Sequence, residues 1–138
     1  MFGRRAGWSL GVFTIACGLA TAQVTVRVSV GAGGAQGTDG SFGEVVSSDG
    51  RFVAFWSGSP NLVPGDTNGA SDIFLRDRKK QTTTRVSVDS LDAETTGGGS
   101  FVASSSANGR FVAFESDTTN LVTGDTNGLD DVFLRDGK

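Results

Sequence analysis

The sequence predicts an all-β fold made of two four-stranded antiparallel units, preceded by a signal peptide. Three observations carry that expectation. Five sequence blocks occur twice at nearly constant spacing. The segments between turns are short, β-branched and apolar, and none sustains a helical period. Two of the four segments in each copy are apolar at consecutive positions, which a sheet wet on one face would not tolerate.

The opening residues are set apart from the fold. Met1 to Arg5 is a short basic start, Ala6 to Leu19 is mostly apolar and small, and Ala20-Thr21-Ala22 is a small-x-small pattern before Gln23. That arrangement reads as a secretory signal peptide over residues 1–22. The apolar run is shorter than the roughly 20 residues an ordinary membrane span needs, so no membrane span is expected. The chain is expected in the periplasm or secreted. Cys17 offers the alternative of a lipid anchor, but the leucine usual three positions before a lipidated cysteine is missing, since Thr14-Ile15-Ala16 precedes it. With cleavage after Ala22, the mature chain holds no cysteine, hence no disulfide and no thiolate.

The duplication divides the remainder into residues 23–80 and 81–138. Arg27-Val28-Ser29-Val30 returns 58 positions on as Arg85-Val86-Ser87-Val88, and Gly50 to Phe55 returns 59 positions on as Gly109 to Phe114. Asn61-Leu62-Val63, Gly65 to Gly69 and Phe74 to Asp77 return as Asn120-Leu121-Val122, Gly124 to Gly128 and Phe133 to Asp136. One slip in a Gly-rich loop accounts for the change of spacing. Each copy is read as an outer strand (24–30, 82–88) followed by three more (42–48, 51–57 and 72–76, with 101–106, 110–116 and 131–135). Asp49-Gly50 and Asn108-Gly109 predict two-residue hairpin turns between the second and third of these. Phe52 to Phe55 and Ile73 to Leu75 are apolar without alternation, which predicts sheets covered on both faces and therefore stacked.

The segment Ser48 to Phe55, followed by Asp72 to Asp77 and Thr83 to Val88, resembles the WD40-like, TolB-type β-propeller repeat of bacterial envelope proteins. The resemblance covers nearly all of the chain after residue 22. It implies propeller-type blades whose first strand lines a central channel and whose outer strand is the one over 24–30 or 82–88. Nothing here resembles the additional N-terminal domain of TolB, so the resemblance does not extend to its envelope machinery. Propellers typically close with about four to eight blades, and two copies make a partial propeller. The chain stops at Gly137-Lys138, where a third outer strand is expected to begin, while the first outer strand has no sheet of its own. Two expectations follow. Either the sequence is the N-terminal fragment of a longer TolB-like propeller without independent function, or chains join head to tail into a homo-oligomer, each N-terminal strand completing a neighbour's last sheet.

Composition narrows the function. The whole chain carries a formal charge of −3, which becomes −5 once Arg4 and Arg5 are removed. An acidic chain without a basic stripe is a poor nucleic-acid binder, and Arg78-Lys79-Lys80 reads as a solvated turn. There is no His and no Tyr, so a Ser-His or Cys-His nucleophile is excluded. Carboxylates remain, but most recur at equivalent positions, whereas a catalytic pair needs two unlike environments. Gly31-Ala32-Gly33-Gly34 precedes no helix and is a weak phosphate loop.

The motif Asp66-Thr67-Asn68-Gly69-Ala70-Ser71-Asp72 and its copy Asp125 to Asp131 put oxygen ligands at alternate positions around a glycine. Asp66, Asn68, Asp72, Asp125, Asn127 and Asp131 are therefore the candidate ligands of a Ca²⁺ ion. The same residues make Asx-turns without any metal. The expected function is a non-enzymatic exported module that binds a protein or glycan through the face carrying the long connections, 31–41 and 58–71 in the first copy.

Overall fold

The computed structural model describes residues 23–137. The signal peptide, its Cys17 alternative and Lys138 lie outside the described residues. The fold is all-β, with two antiparallel sheets. β1 (Ser41–Val46), β2 (Phe52–Ser57), β3 (Asp72–Asp77) and β4 (Thr82–Arg85) form the first, in that spatial order. β5 (Ser100–Ser105), β6 (Phe111–Ser116) and β7 (Asp131–Asp136) form the second. Among the described residues the one helical piece is a 3-10 turn over Ala32–Gly34, and no helix is long and apolar enough to cross a membrane.

The second sheet has three strands where four are expected, and the first draws its fourth, β4, from the second sequence copy. The expected strand over 24–30 does not form. Residues 23–29 belong to no strand, and Val30 makes only an isolated bridge to Gln36. β-branched residues favour extended backbone, yet a strand needs a partner for its N–H and C=O groups, and among the described residues this segment is bridged only at Val30, by Gln36. The strand expected over 82–88 pairs through 82–85, with one further bond from Val86 N–H to the Ile73 carbonyl at 2.7 Å.

The hairpin turns also differ from expectation. Only Gly50 and Gly109 take positive φ, at 69° and 67°, so neither turn is the two-residue kind. The Asp49 carboxylate accepts from Ser47 Oγ at 2.6 Å and Arg51 N–H at 3.0 Å, which holds a wider loop from Ser47 to Phe52. Those hydrogen bonds, Ser47 foremost, lower the Asp49 pKa. Asn108 does the same with Ser106 and Arg110. Near the other end of the same hairpins, β1 and β5 each carry one extra residue, between Phe42 and Val45 and between Phe101 and Ala103. Such bulges sharpen the local twist.

Two apolar clusters build the core. Ala54 and Ile73 of the first sheet, with Val86 just beyond β4, pack on Val112, Phe114 and Leu121, flanked by Trp56, Leu75 and Phe133. Alternate residues point the other way, and there Phe55, Phe74 and Leu62 form a second cluster. The connection 30–40 lies against that side. A Cβ at Gly31 would sit 2.8 Å from the Asn61 carbonyl oxygen, and Thr83 Oγ1 donates to the Val30 carbonyl at 2.5 Å. The first sheet is thus covered on both faces, whereas the far face of the second carries exposed Val132 and Leu134.

Candidate functional site

Antiparallel pairing sends the connection before β1, the β2–β3 loop and the β4–β5 connection to one end of the sheets, and the short turns at 47–51 and 78–81 to the other. Two asparagines tie the loop end together. Asn61 donates to the Gln36 carbonyl at 2.8 Å and accepts from Thr38 N–H at 3.0 Å. Asn120 donates to the Glu94 carbonyl at 3.0 Å and accepts from Thr96 N–H at 3.0 Å. Buried hydroxyls of Ser57 and Ser59, and of Ser116 and Thr118, fix the start of each loop by bonding one another and the Gly40 and Gly99 carbonyls.

The first Asp-Asn loop closes on an arginine. Arg85 Nη1 lies 3.2 Å from Asp66 Oδ1, 3.6 Å from Asp72 Oδ2 and 2.9 Å from Glu94 Oε2. Asp72 is fully buried and also accepts from Ser87 Oγ at 2.5 Å. Asn68 turns its Nδ2 to Asp72 Oδ2 at 3.0 Å and spends its Oδ1 on the Ala70 N–H at 2.9 Å. A guanidinium therefore holds the place between Asp66 and Asp72 that a cation would take, and Asn68 faces Asp72 with a donor. One cation serves three carboxylates here. Burial, reinforced by Asp72 and Glu94, pushes Asp66 up to about 6 against the pull of Arg85. Hydrogen bonds from the Thr67 hydroxyl and N–H, followed by Arg85, draw Glu94 down to about 2.

The second loop repeats the turn and not the closure. Asn127 Nδ2 reaches Asp131 Oδ2 at 3.2 Å and its Oδ1 accepts from Leu129 N–H at 2.9 Å. Among the described residues no cation pairs with Asp125 or Asp131. Nor, among them, does any group of three or more His, Cys, Asp or Glu stand ready to hold a metal ion. Asp125 and Asp131 border an open cleft of about 660 Å³ along the outer edge of β7.

An aromatic row lies at the loop end of β1, β2 and β5. Phe42 and Trp56 stand 4.7 Å apart between ring centroids, and Trp56 meets Phe101 edge-on at 5.3 Å. Phe42 is 54 % exposed and Phe101 37 %. Glycine next to each phenylalanine makes room, since a Cβ at Gly40 would come within 2.6 Å of the Phe42 ring and one at Gly99 within 2.8 Å of Phe101.

The turn end carries a different device. Arg51 grips Asp77 through two hydrogen bonds of 3.1 and 2.7 Å while lying over the Phe52 ring at 4.6 Å. Arg110 grips Asp136 through two of 2.7 Å and lies over Phe111 at 4.7 Å. The Arg51 guanidinium, helped by the Lys79 and Lys80 N–H groups, holds Asp77 well below the usual carboxylate range. Arg78, Lys79 and Lys80 are exposed, as a solvated turn should be.

Compared with known proteins, the chain matches no family model, no curated protein and no solved structure. Of the six sequence-derived ligand candidates, the structure brings Asp66, Asn68 and Asp72 together around Arg85, and Asn127 with Asp131 beside Asp125. Sequence reasoning missed Arg85 and Glu94. Their signal was the 58-residue spacing that aligns them with Arg27 and Gln36. It also missed the aromatic row, in which Phe42 and Phe101 align but Trp56 falls opposite Glu115.

Proposed function

We propose that this chain is an exported, propeller-type repeat module that works by binding a protein or glycan at its loop end. The observation that carries this reading is the Phe42–Trp56–Phe101 row, three adjoining aromatic rings left partly bare where the long connections converge. Exposed aromatics bury a large area at little entropic cost, and their faces suit the C–H face of a sugar ring or an aliphatic side chain. Rigid scaffolding beneath them, through the Asn61 and Asn120 latches, favours recognition over motion. The lack of His and Tyr in the chain and the use of Asp66 and Asp72 in ion pairing support binding rather than catalysis.

Trp56 reports on its own site. In a Trp8→Phe background it is the remaining tryptophan of the chain, so titration with oligosaccharide and peptide panels should quench or shift its emission. Phe42→Ala and Phe101→Ala should each weaken that response by about tenfold, equivalent to about 1.4 kcal/mol. Silence across both panels, or turnover of a glycoside substrate, would overturn the reading.

A further inference from the structure

We infer that the open outer edge of β7 is the docking site for residues 24–30 of a second copy of this chain, with Arg27 of that copy closing onto Asp125 and Asp131. The first sheet shows what a completed edge looks like. There β4 pairs with β3, the Ser87 hydroxyl bonds both the Ile73 N–H at 3.0 Å and the Asp72 carboxylate, and Arg85 caps the Asp66 and Asp72 carboxylates. The second sheet keeps the accepting half of that arrangement, namely Asp125, Asn127, Asp131 and an apolar Val132. It lacks the donating half among the described residues.

The donating half exists elsewhere in the same chain. Arg27-Val28-Ser29-Val30 is identical to Arg85-Val86-Ser87-Val88, and it leads into the same next step. Val30 bridges Gln36 as Val88 bridges Glu94, and Gly31 N–H bonds the Ala35 carbonyl at 2.8 Å as Asp89 N–H bonds that of Ala93 at 3.0 Å. Arg27 is already turned to Gln36, its Nη1 donating to Oε1 at 2.6 Å, in the manner of Arg85 and Glu94. Among the described residues, Arg27 lacks the pair of carboxylates, and Asp125 and Asp131 lack the guanidinium. This charge complementarity names the occupant.

Apolar surface points the same way. Val24 and Val26 are exposed on the unpaired segment, and Val132 and Leu134 on β7. Addition of the segment supplies the backbone partners that an edge strand lacks, as in other strand-addition complexes. It also widens the sheet whose bare β7 face the neighbour's first sheet can stack upon. Because donor and acceptor are different surfaces, the contact is head to tail, and it closes into a ring when the rotation per chain permits. The docking edge is on the far side of the sheet from the aromatic row, so it stands or falls independently of ligand binding there.

Sedimentation of the purified full chain over a concentration series should show a discrete assembly of three or four copies. Arg27→Glu destroys the donor and leaves the acceptor, and Asp125→Arg does the reverse. Each alone should run as a folded monomer, its association weakened by about thirty-fold or more. Mixed together, the two variants offer one native junction and one with the charges exchanged, so they should reassemble into oligomers in which the two variants alternate. That recovery separates lost docking from lost folding. A wild-type chain that stays monomeric throughout overturns the inference, as does assembly that survives either substitution. A mixture of folded variants that fails to pair overturns it too.

Discussion

The two sheets are built from nearly the same words and reach different ends. Ile73 is 0 % exposed, whereas Val132, at the matching position, is 75 % exposed, and Leu134 is 68 % exposed where Leu75 is half-buried. The difference comes from neighbours and not from the strands themselves. β3 has β4 on its edge and a second sheet on one face, with the connection 30–40 on the other. Among the described residues, β7 has a partner on one edge and cover on one face. A strand that is apolar on both faces is therefore a statement about two contacts still to be made, and a chain meets them only as far as its own segments reach.

The largest test of that contrast is in the cores. Phe74→Ala removes a fully buried ring and should cost about 3–5 kcal/mol of unfolding free energy in urea titrations, while Phe133→Ala, at a half-buried position, should cost about 1–2 kcal/mol. Equal losses would mean that the second sheet is as enclosed as the first. The ion cluster gives the next largest effect. Arg85→Met strips the shared cation from Asp66, Asp72 and Glu94 and should cost about 3 kcal/mol, because it leaves buried carboxylates uncompensated. Arg27→Met, at an exposed site, should stay within about 0.5 kcal/mol in dilute, dissociated protein.

Acidity separates the sheets further. A carboxyl raised to about 6 in the folded state binds its proton more tightly than the unfolded chain does, at about 3.8. Its contribution is therefore fully present below the lower value and is lost as pH rises through the upper one. Between pH 7 and about 4, Asp66 should make the protein more stable on acidification, by something on the order of 2 kcal/mol. Below that window the low pKa of Glu94 works in the opposite sense, and stability should fall toward pH 2. Asp66→Asn should flatten the rise in a melting series. If the rise persists in that variant, the proton is bound elsewhere.

Calcium provides the smallest effect and the sharpest contrast. With Arg85 between Asp66 and Asp72, the first loop should be indifferent to the ion, so Asp66→Asn should leave the difference in melting temperature between chelator and calcium unchanged. Any calcium-dependent rise should vanish with Asp125→Asn, in a loop that no guanidinium enters among the described residues. A response lost with Asp66→Asn would show that the ion displaces the arginine.

How far the sequence foretold this structure depends on where each residue finds its partner. β2, β3, β6 and β7 were legible within a residue at each end, because their apolar runs and flanking turns are local signals. The hairpin turns were misread because Asp49 and Asn108 bond back to Ser47 and Ser106 and hold wider loops, a choice that the Asp-Gly and Asn-Gly dipeptides do not encode. Residues 24–30 have the composition of a strand and no strand beside them, a fact about the surroundings and not about the segment. The candidate ligand residues were chosen for their spacing within each loop, whereas the surroundings of Asp66 and Asp72 are set by Arg85, which approaches from β4. The aromatic row was invisible for the same reason, since Trp56 and Phe101 meet only after the sheets stack.

The connection from Val86 to Gly99 is held at both sides. Glu94 and Thr95 bind Thr67 and Asn68 of the first sheet's loop, while the Glu94 carbonyl and the Thr96 N–H bind Asn120 of the second. Neither sheet can open at its loop end without releasing the same short stretch of chain. Local fraying there is coupled, so the two sheets should unfold as one cooperative unit and not in sequence. In hydrogen exchange, the Thr67 and Thr96 amides, each bonded across this connection, should open with one common free energy although they belong to different halves of the molecule.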